Sequence, residues 1–243
     1  MTLRLLPTIV FCLYGGGAVA DEPWPLPDNP PVTIPGGAAQ SPSGETVQLP
    51  TFRISKFEIS NAEYRRFVAE SSHRPSHFDG YAEIARDAYP VVGVSWDDAM
   101  DFCRRYGLSL PTETQWDWMA RGLERRDYAW GSEPPGTDRA NRGGKACCQP
   151  DDADGFAGTA PVGSFPKGDT PDGVSDVTGN VWEWVDGWYE DGLAHSAGKE
   201  RKFRVLRGGA WNSDDVHLRA SYRLGYRGDF RYAANGGFRC VAP

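Results

Sequence analysis

The chain has 243 residues, with 26 Lys+Arg against 33 Asp+Glu and a net charge of -7 at pH 7. That acidic balance excludes the basic face on which nucleic-acid and anionic-membrane binders depend. Gly 29, Pro 19, Trp 9, Tyr 10 and Phe 11 exclude a helical bundle or coiled coil and predict a loop-rich fold held by aromatic side chains.

Residues 1–20 read as a secretory signal peptide. Arg4 is their only charge, an apolar run follows from Leu5 to Tyr14, and the segment closes on Ala18-Val19-Ala20. This order predicts cleavage after Ala20 and export to the periplasm. The run is too short for a bilayer span, which needs about 20 residues, and no later segment is long enough, so no membrane span is expected. Cys12 follows the bulky Phe11 where a lipoprotein signal wants a small residue. The mature chain would start at Asp21, and losing Arg4 takes the charge from -7 to -8. It would keep Cys103, Cys147, Cys148 and Cys240. An even count in an exported chain predicts disulfides. Three pairings are open, and the adjacent Cys147 and Cys148 either bridge each other or reach elsewhere.

Residues 21–50 hold eight prolines and little periodicity, and read as an extended arm that lies on the domain or trails from it. Thr51 to Ile59 alternates as a strand does. Three helix starts follow, each with a reciprocal cap: Ser60 with Glu63, Ser95 with Asp98, and Thr112 with Gln115. Tyr64, Phe67 and Val68 would face inward from the first. Ala99, Phe102, Cys103 and Tyr106 make one stripe on the second, which Gly107 ends. Trp116, Met119 and Ala120 would face inward from the third, which Gly122 closes. Beyond Arg126 helical periodicity disappears. Short apolar pieces (Val181–Val185, Phe203–Leu206, Gly237–Val241) stand between Gly, Asp and Asn turns. No composition break divides 51–243, which reads as one domain.

From Phe52 onward the chain resembles the formylglycine-generating-enzyme (sulfatase-modifying factor) family. The pieces that carry the resemblance run in order. Phe57 to Tyr64 (FEISNAEY), Pro90 to Trp96 (PVVGVSW) and Leu110 to Trp116 (LPTETQW) come first. Gly158 to Gly163 (GTAPVG), Gly179 to Trp184 (GNVWEW), Arg207 to Trp211 (RGGAW) and Gly237 to Cys240 (GFRC) follow. The resemblance implies an irregular, loop-rich α+β single domain of the C-type-lectin-like kind. It also implies a disulfide between Cys103 and Cys240.

Relatives often hold two calcium ions. By resemblance, one site takes the Asn141 side chain, the Arg142 carbonyl, the Asp154 side chain and the Phe156 carbonyl. The other takes the Asp176 side chain, the Gly179 and Val181 carbonyls and the Glu183 carboxylate. Such alternation of oxygen donors suits a hard cation that wants roughly six to eight oxygens, and calcium here would be structural. Without a cation the same residues would form Asx turns. An EF-hand beginning at Asp152 fails, because Pro161 stands where its closing glutamate belongs.

Oxidase members of the family carry two nearby cysteines soon after the Arg-Gly-Gly motif, and soft thiolates suit Cu(I). This chain has no cysteine between Arg207 and Arg239. Asn212, Ser213, Asp214, Asp215 and His217 occupy the corresponding stretch, and Ala210 replaces a serine. Copper and formylglycine chemistry are therefore not expected, and no catalytic residue is assigned. Cys147 and Cys148 read as a local staple. Pro75 between His73 and His77 breaks the helix that would bring them together. The Arg142-Gly143-Gly144 and Arg207-Gly208-Gly209 runs read as tight turns. What remains resembles non-catalytic exported members of type VI secretion clusters, which promote a membrane Ser/Thr kinase through its periplasmic domain. Trp188, Tyr189, Tyr226, Phe230 and Tyr232, interleaved with Arg223, Arg227 and Arg231, would form the binding face or part of the core. The alternative is a periplasmic oxidase or maturation enzyme with non-thiol chemistry, for example on a siderophore chromophore.

Overall fold

Each of the three expected caps forms, and each starts a helix where the sequence places one. In the computed structural model, which describes residues 23–146, 148–189 and 203–242, Ser60, Ser95 and Thr112 are the N-caps of α1 (Asn61–Ser71), α2 (Trp96–Arg105) and α3 (Glu113–Arg121). The Glu63 carboxylate accepts from the Ser60 amide at 2.8 Å, Asp98 from the Ser95 amide at 2.9 Å, and Gln115 from the Thr112 amide at 2.9 Å. Each cap satisfies donors that the first helical turn leaves open and contributes about 1 kcal/mol. Tyr64, Phe67, Phe102, Cys103, Trp116 and Met119 are all buried, as the stripes require.

The proline-rich segment lies on the domain. Its β1 (Pro31–Ile34) pairs antiparallel with β4 (Phe52–Ser55), with Ile34 opposite Phe52. Its β2 (Gly37–Gln40) and β3 (Thr46–Leu49) make a hairpin around Gly44. The strands escape a reading by periodicity because prolines sit at their margins, where a missing N–H does not break a ladder. Buried Ile34, Ala39 and Leu49 are the inward residues. Gly37 is needed for the docking of α3, since a Cβ there would lie 2.6 Å from the Trp118 ring. The predicted strand from Thr51 to Ile59 ends at Ser55. Beyond it the Asn29 side chain takes over, accepting from Phe57 N–H at 2.9 Å.

A second, four-stranded sheet runs β7-β6-β5-β8, from β5 (Trp182–Trp188), β6 (Phe203–Arg207), β7 (Leu224–Arg227) and β8 (Gly236–Phe238). The β5–β8 pair is parallel and the other two are antiparallel. Three of these strands coincide with the apolar pieces. β7 has no such signal: it carries Gly225 in its interior because the Tyr189 ring packs there, 2.5 Å from where a Cβ would stand.

One core cluster lies between α1, α2 and the β5–β8 side of this sheet, and includes Phe67, Phe102, Trp184 and Phe238. The other joins the N-terminal strands to α3, and includes Ile34, Trp116, Met119 and Val205. Cys103 and Cys240 are bonded, with S–S 2.00 Å, as the family resemblance implied. Cys148 is disulfide-bonded too; the Cys147 half of the adjacent pair, like the signal-peptide segment, lies outside the described residues. Among the described residues no helix is long and apolar enough to cross a membrane.

Candidate functional site

Among the described residues between α3 and β5 there is only one short 3₁₀ turn, Pro166–Gly168, so the backbone groups there need partners from side chains. Asp154 holds one loop: its carboxylate accepts from Arg142 N–H at 2.8 Å and Phe156 N–H at 3.0 Å. Asn141 donates to the Gly158 carbonyl at 2.9 Å and to the Asn180 side chain at 3.0 Å. Its Oδ1 is buried with no partner among the described residues. Asp154 thus ties the Arg142 and Phe156 backbones into one loop. The orphaned amide oxygen and a carboxylate raised by burial both fit a cation.

The second set sits in a denser network. Asp176 adopts a left-handed backbone, φ 58, and accepts from Gly163 N–H at 2.5 Å. Glu183 is fully buried. Its oxygens accept from Arg239 Nε at 3.0 and 2.9 Å, from Arg239 Nη2 at 2.7 Å and from Trp116 Nε1 at 2.8 Å. The Nε–H is shared between the two oxygens, so three donors occupy the carboxylate, and Glu183 is first of all the counter-ion of Arg239.

Glu58, which the sequence did not single out, is buried beside them. It accepts from Val181 N–H at 3.1 Å and Asn180 Nδ2 at 2.6 Å. Burial, then the neighbouring Asp176 and Glu183, push its carboxyl well above the ordinary value. Burial raises Asp176 to about 6. Glu58, Asp176 and Glu183 share one guanidinium, and that negative excess fits a divalent cation near Asp176 and the Gly179 and Val181 carbonyls. Among the described residues no group of three or more His, Cys, Asp or Glu side chains has metal-ligand geometry. Any cation here would therefore rest largely on carbonyl and amide oxygens.

The stretch after β6 forms one wall of a cavity of about 180 Å³. Arg207 anchors that stretch, donating to Glu113 at 2.6 Å and Asp117 at 2.7 Å. Gly208 and Gly209 then turn at φ 95 and 79, the tight turn expected of them. Trp182, Trp184, Leu206, Leu224 and Phe230 make the cavity apolar, and Asn212, Ser213, His217 and Arg231 add polar groups. Cys148 also lines it, and its N–H donates to the Asn212 carbonyl at 2.9 Å. His217 Nδ1 lies 2.6 Å from Asp214 Oδ1. Burial raises the Asp214 carboxyl, but the hydrogen bonds from His217 outweigh it and hold the group below its ordinary value.

A run of rings in contact, one pair stacked and two edge-on, leads from the cavity over the surface. Tyr226 and Phe230 are 4.9 Å apart, Phe230 and Tyr232 6.0 Å, and Tyr232 and His77 4.8 Å. Tyr226 is 41% exposed and Tyr232 63%. Arg227 projects beside them, paired with Asp229 at 2.7 Å. Half of the expected aromatic face is thus surface. The other half is structural: Arg223 turns inward to Glu113 at 2.6 Å, and the Trp188 ring stacks on Arg204 at 3.6 Å. His73 does not join His77, since it packs on Phe67 at 4.9 Å.

These elements define an α+β domain of the formylglycine-generating type. A family model described as "Sulfatase-modifying factor enzyme 1-like domain" matches residues 21–243, and the chain belongs to that family. It is 29% identical to bovine "Inactive C-alpha-formylglycine-generating enzyme 2", over 87% of this chain and 87% of that one. It is 34% identical to bovine "Formylglycine-generating enzyme", over 88% of this chain and 71% of that one. Among solved structures, PvdO from Pseudomonas aeruginosa superposes with TM-score 0.67 at 19% identity, covering 87% of this chain and 93% of its own. That last likeness concerns the fold.

Proposed function

We propose that the chain is an exported, non-catalytic member of this family that binds a protein partner. The partner is the periplasmic domain of a membrane Ser/Thr kinase, as for the type VI secretion accessory protein TagR, which this chain resembles. The observation that carries the reading is the stretch after β6. Where oxidase relatives place two thiols, this chain has Asn212, Ser213 and His217 around an apolar cavity, with exposed Tyr226, Tyr232 and Arg227 at its side. Aromatic and arginine side chains dominate the energetics of protein interfaces. Replacing Tyr226 and Arg227 together by alanine should weaken binding of the purified kinase domain at least about a hundredfold, since each hot spot contributes about 2 kcal/mol. Calorimetric titration measures this, and unchanged affinity would reject the face.

In this reading calcium ties the loops and takes no part in binding. Asn141, Arg142, Asp154 and Phe156 hold one ion; Asp176, Gly179 and Val181 hold the other, with Glu183 behind them. Chelation should lower the melting temperature by several degrees, as about 1 kcal/mol does for a domain of this size. Asp154→Ala should remove most of that sensitivity. A melting temperature indifferent to chelator, with no calcium by elemental analysis, would reject the sites.

The His217–Asp214 pair beside the cavity favours one other reading, a periplasmic maturation enzyme in which His217 moves a proton. Oxygen consumption with candidate substrates, abolished by His217→Ala, would establish it in place of the binding role.

A further inference from the structure

The described cysteines differ in what can reach them. Cys103 and Cys240 are bonded to each other, and both are fully buried. Cys148 is also disulfide-bonded, but it is exposed, and it lines the cavity. With Cys103 and Cys240 taken, the five cysteines of the chain leave it Cys12 or Cys147 as partner. Cleavage after Ala20 would leave Cys147.

Cys148 and its neighbours in the chain lie against the stretch after β6. Gly143 N–H donates to the Ser213 carbonyl at 3.0 Å, and Cys148 N–H to the Asn212 carbonyl at 2.9 Å. Gly144 N–H in turn reaches the Gln149 carbonyl at 3.1 Å. The approach is close: a Cβ on Gly143 would stand 2.5 Å from the Asn212 carbonyl carbon and 2.6 Å from the Gln149 oxygen. Cys148 itself has a left-handed backbone, φ 69, which favours glycine and persists in other residues only where the surroundings impose it. Asn212 and Ser213 line the cavity. The disulfide at Cys148 and that wall are therefore joined by two backbone hydrogen bonds.

An exposed disulfide is open to attack by a thiolate, whereas a buried one exchanges only when the chain opens. We propose that the Cys148 disulfide is a site of thiol–disulfide exchange, reduced by an external dithiol, and that the intact bond holds the cavity wall at Asn212 and Ser213. One thiolate of the dithiol attacks a sulfur of the bond and forms a mixed disulfide. The other cysteine leaves as a thiolate and takes up a proton. The second thiol of the dithiol then displaces the first cysteine in the same way. The dithiol departs as a disulfide, two electrons and two protons have passed to the protein, and the protein carries two thiols. Neither the kinase domain nor calcium enters this step, so it stands or falls apart from the function proposed above.

The probe is dithiothreitol, a small dithiol, added to the intact, oxidised protein without denaturant. Samples are alkylated over time and mapped by peptide mass spectrometry, with Cys103 and Cys240 as the internal reference. Cys148 should become alkylated at least about a hundredfold faster than either. In protein reduced at this bond only, amide hydrogen exchange should be at least about tenfold faster at Gly143 and Cys148, with the amides of α1 unchanged. Alkylation of Cys148 no faster than that of Cys103 would overturn the exchange site. Unaltered exchange at Gly143 and Cys148 in the reduced protein would overturn the hold on the wall. A rise that extends to α1 would overturn it as well, since the bond would then support the whole fold and not the cavity wall.

Discussion

Arg239→Met should destabilise the protein by about 3–5 kcal/mol or more, the usual cost of removing one side of a buried ion pair. The guanidinium is fully buried and donates to Glu183 and to the carbonyls of Ser55 at 3.2 Å, Lys56 at 3.0 Å and Ser175 at 2.9 Å. It thereby joins β4, the Asp176 loop and β5 at one point. Methionine fills a similar volume but takes the guanidinium from three buried carboxylates and a donor from three carbonyls. The side chain's own charged state is reinforced: desolvation lowers its pKa, and Glu183, Glu58 and Asp176 more than offset that. Urea unfolding at neutral pH measures the loss. A cost below about 1 kcal/mol would mean that the carboxylates are not held by Arg239, since surface-like substitutions lie in that range.

With calcium removed by chelator, the same cluster fixes a pH dependence with an unusual sign. Glu58 and Asp176 have folded values above their ordinary ones, so in that interval the folded chain binds more protons than the unfolded chain. Their contribution to stability is then greatest at low pH and falls as pH rises, for Asp176 from the ordinary 3.8 to about 6. Most proteins gain stability over this range as salt-bridged carboxylates ionise. In Arg239→Met the fall should be steeper, and acidification should recover part of the lost stability. Glu183→Gln added to Arg239→Met should recover part as well, because it removes one of the unpaired charges.

Much of the fold was legible because it is decided locally. A Ser or Thr with an acid or amide three residues on specifies a helix start wherever it precedes an inward stripe, and all three predicted pairs form. The inward position of Cys103 followed from the same stripe. Long-range pairing was not legible in the same way. Glu58 meets Val181 across 123 positions, and nothing near either residue announces it. The metal-loop residues came from resemblance, and the Glu183 carboxylate proved to be committed to Arg239, a partner 56 positions away. The proline-rich segment misled in the other direction. Prolines at strand margins mask three short strands whose pairing partners supply the order. At the cavity, the stretch after β6 was identified by what it lacks, but the apolar walls that Trp182, Trp184 and Leu224 raise around it come from distant parts of the chain and appear only in the fold.

Replacing both Cys103 and Cys240 by alanine should cost about 5 kcal/mol from loop closure. The two cysteines are 137 positions apart, and both are fully buried against Phe102 and Phe238. The native state has other ties at this point: Ser55 N–H donates to the Cys240 carbonyl at 2.9 Å, and Cys240 N–H to Ser55 Oγ at 2.9 Å. The chain end should therefore stay in place when the bond is cut, and most of the effect falls on the unfolded state, which expands once its longest closed loop opens. That assigns a second signature. An expanded unfolded chain exposes more surface, so the denaturant slope should rise along with the loss of stability. A cavity left by the two sulfur atoms would lower stability without changing the slope, and that difference separates the two causes. If the alanine pair loses less than about 2 kcal/mol at an unchanged slope, the cross-link does not constrain the unfolded chain. The loop-rich half must then draw its order from the Arg239 cluster and the proposed calcium ions alone.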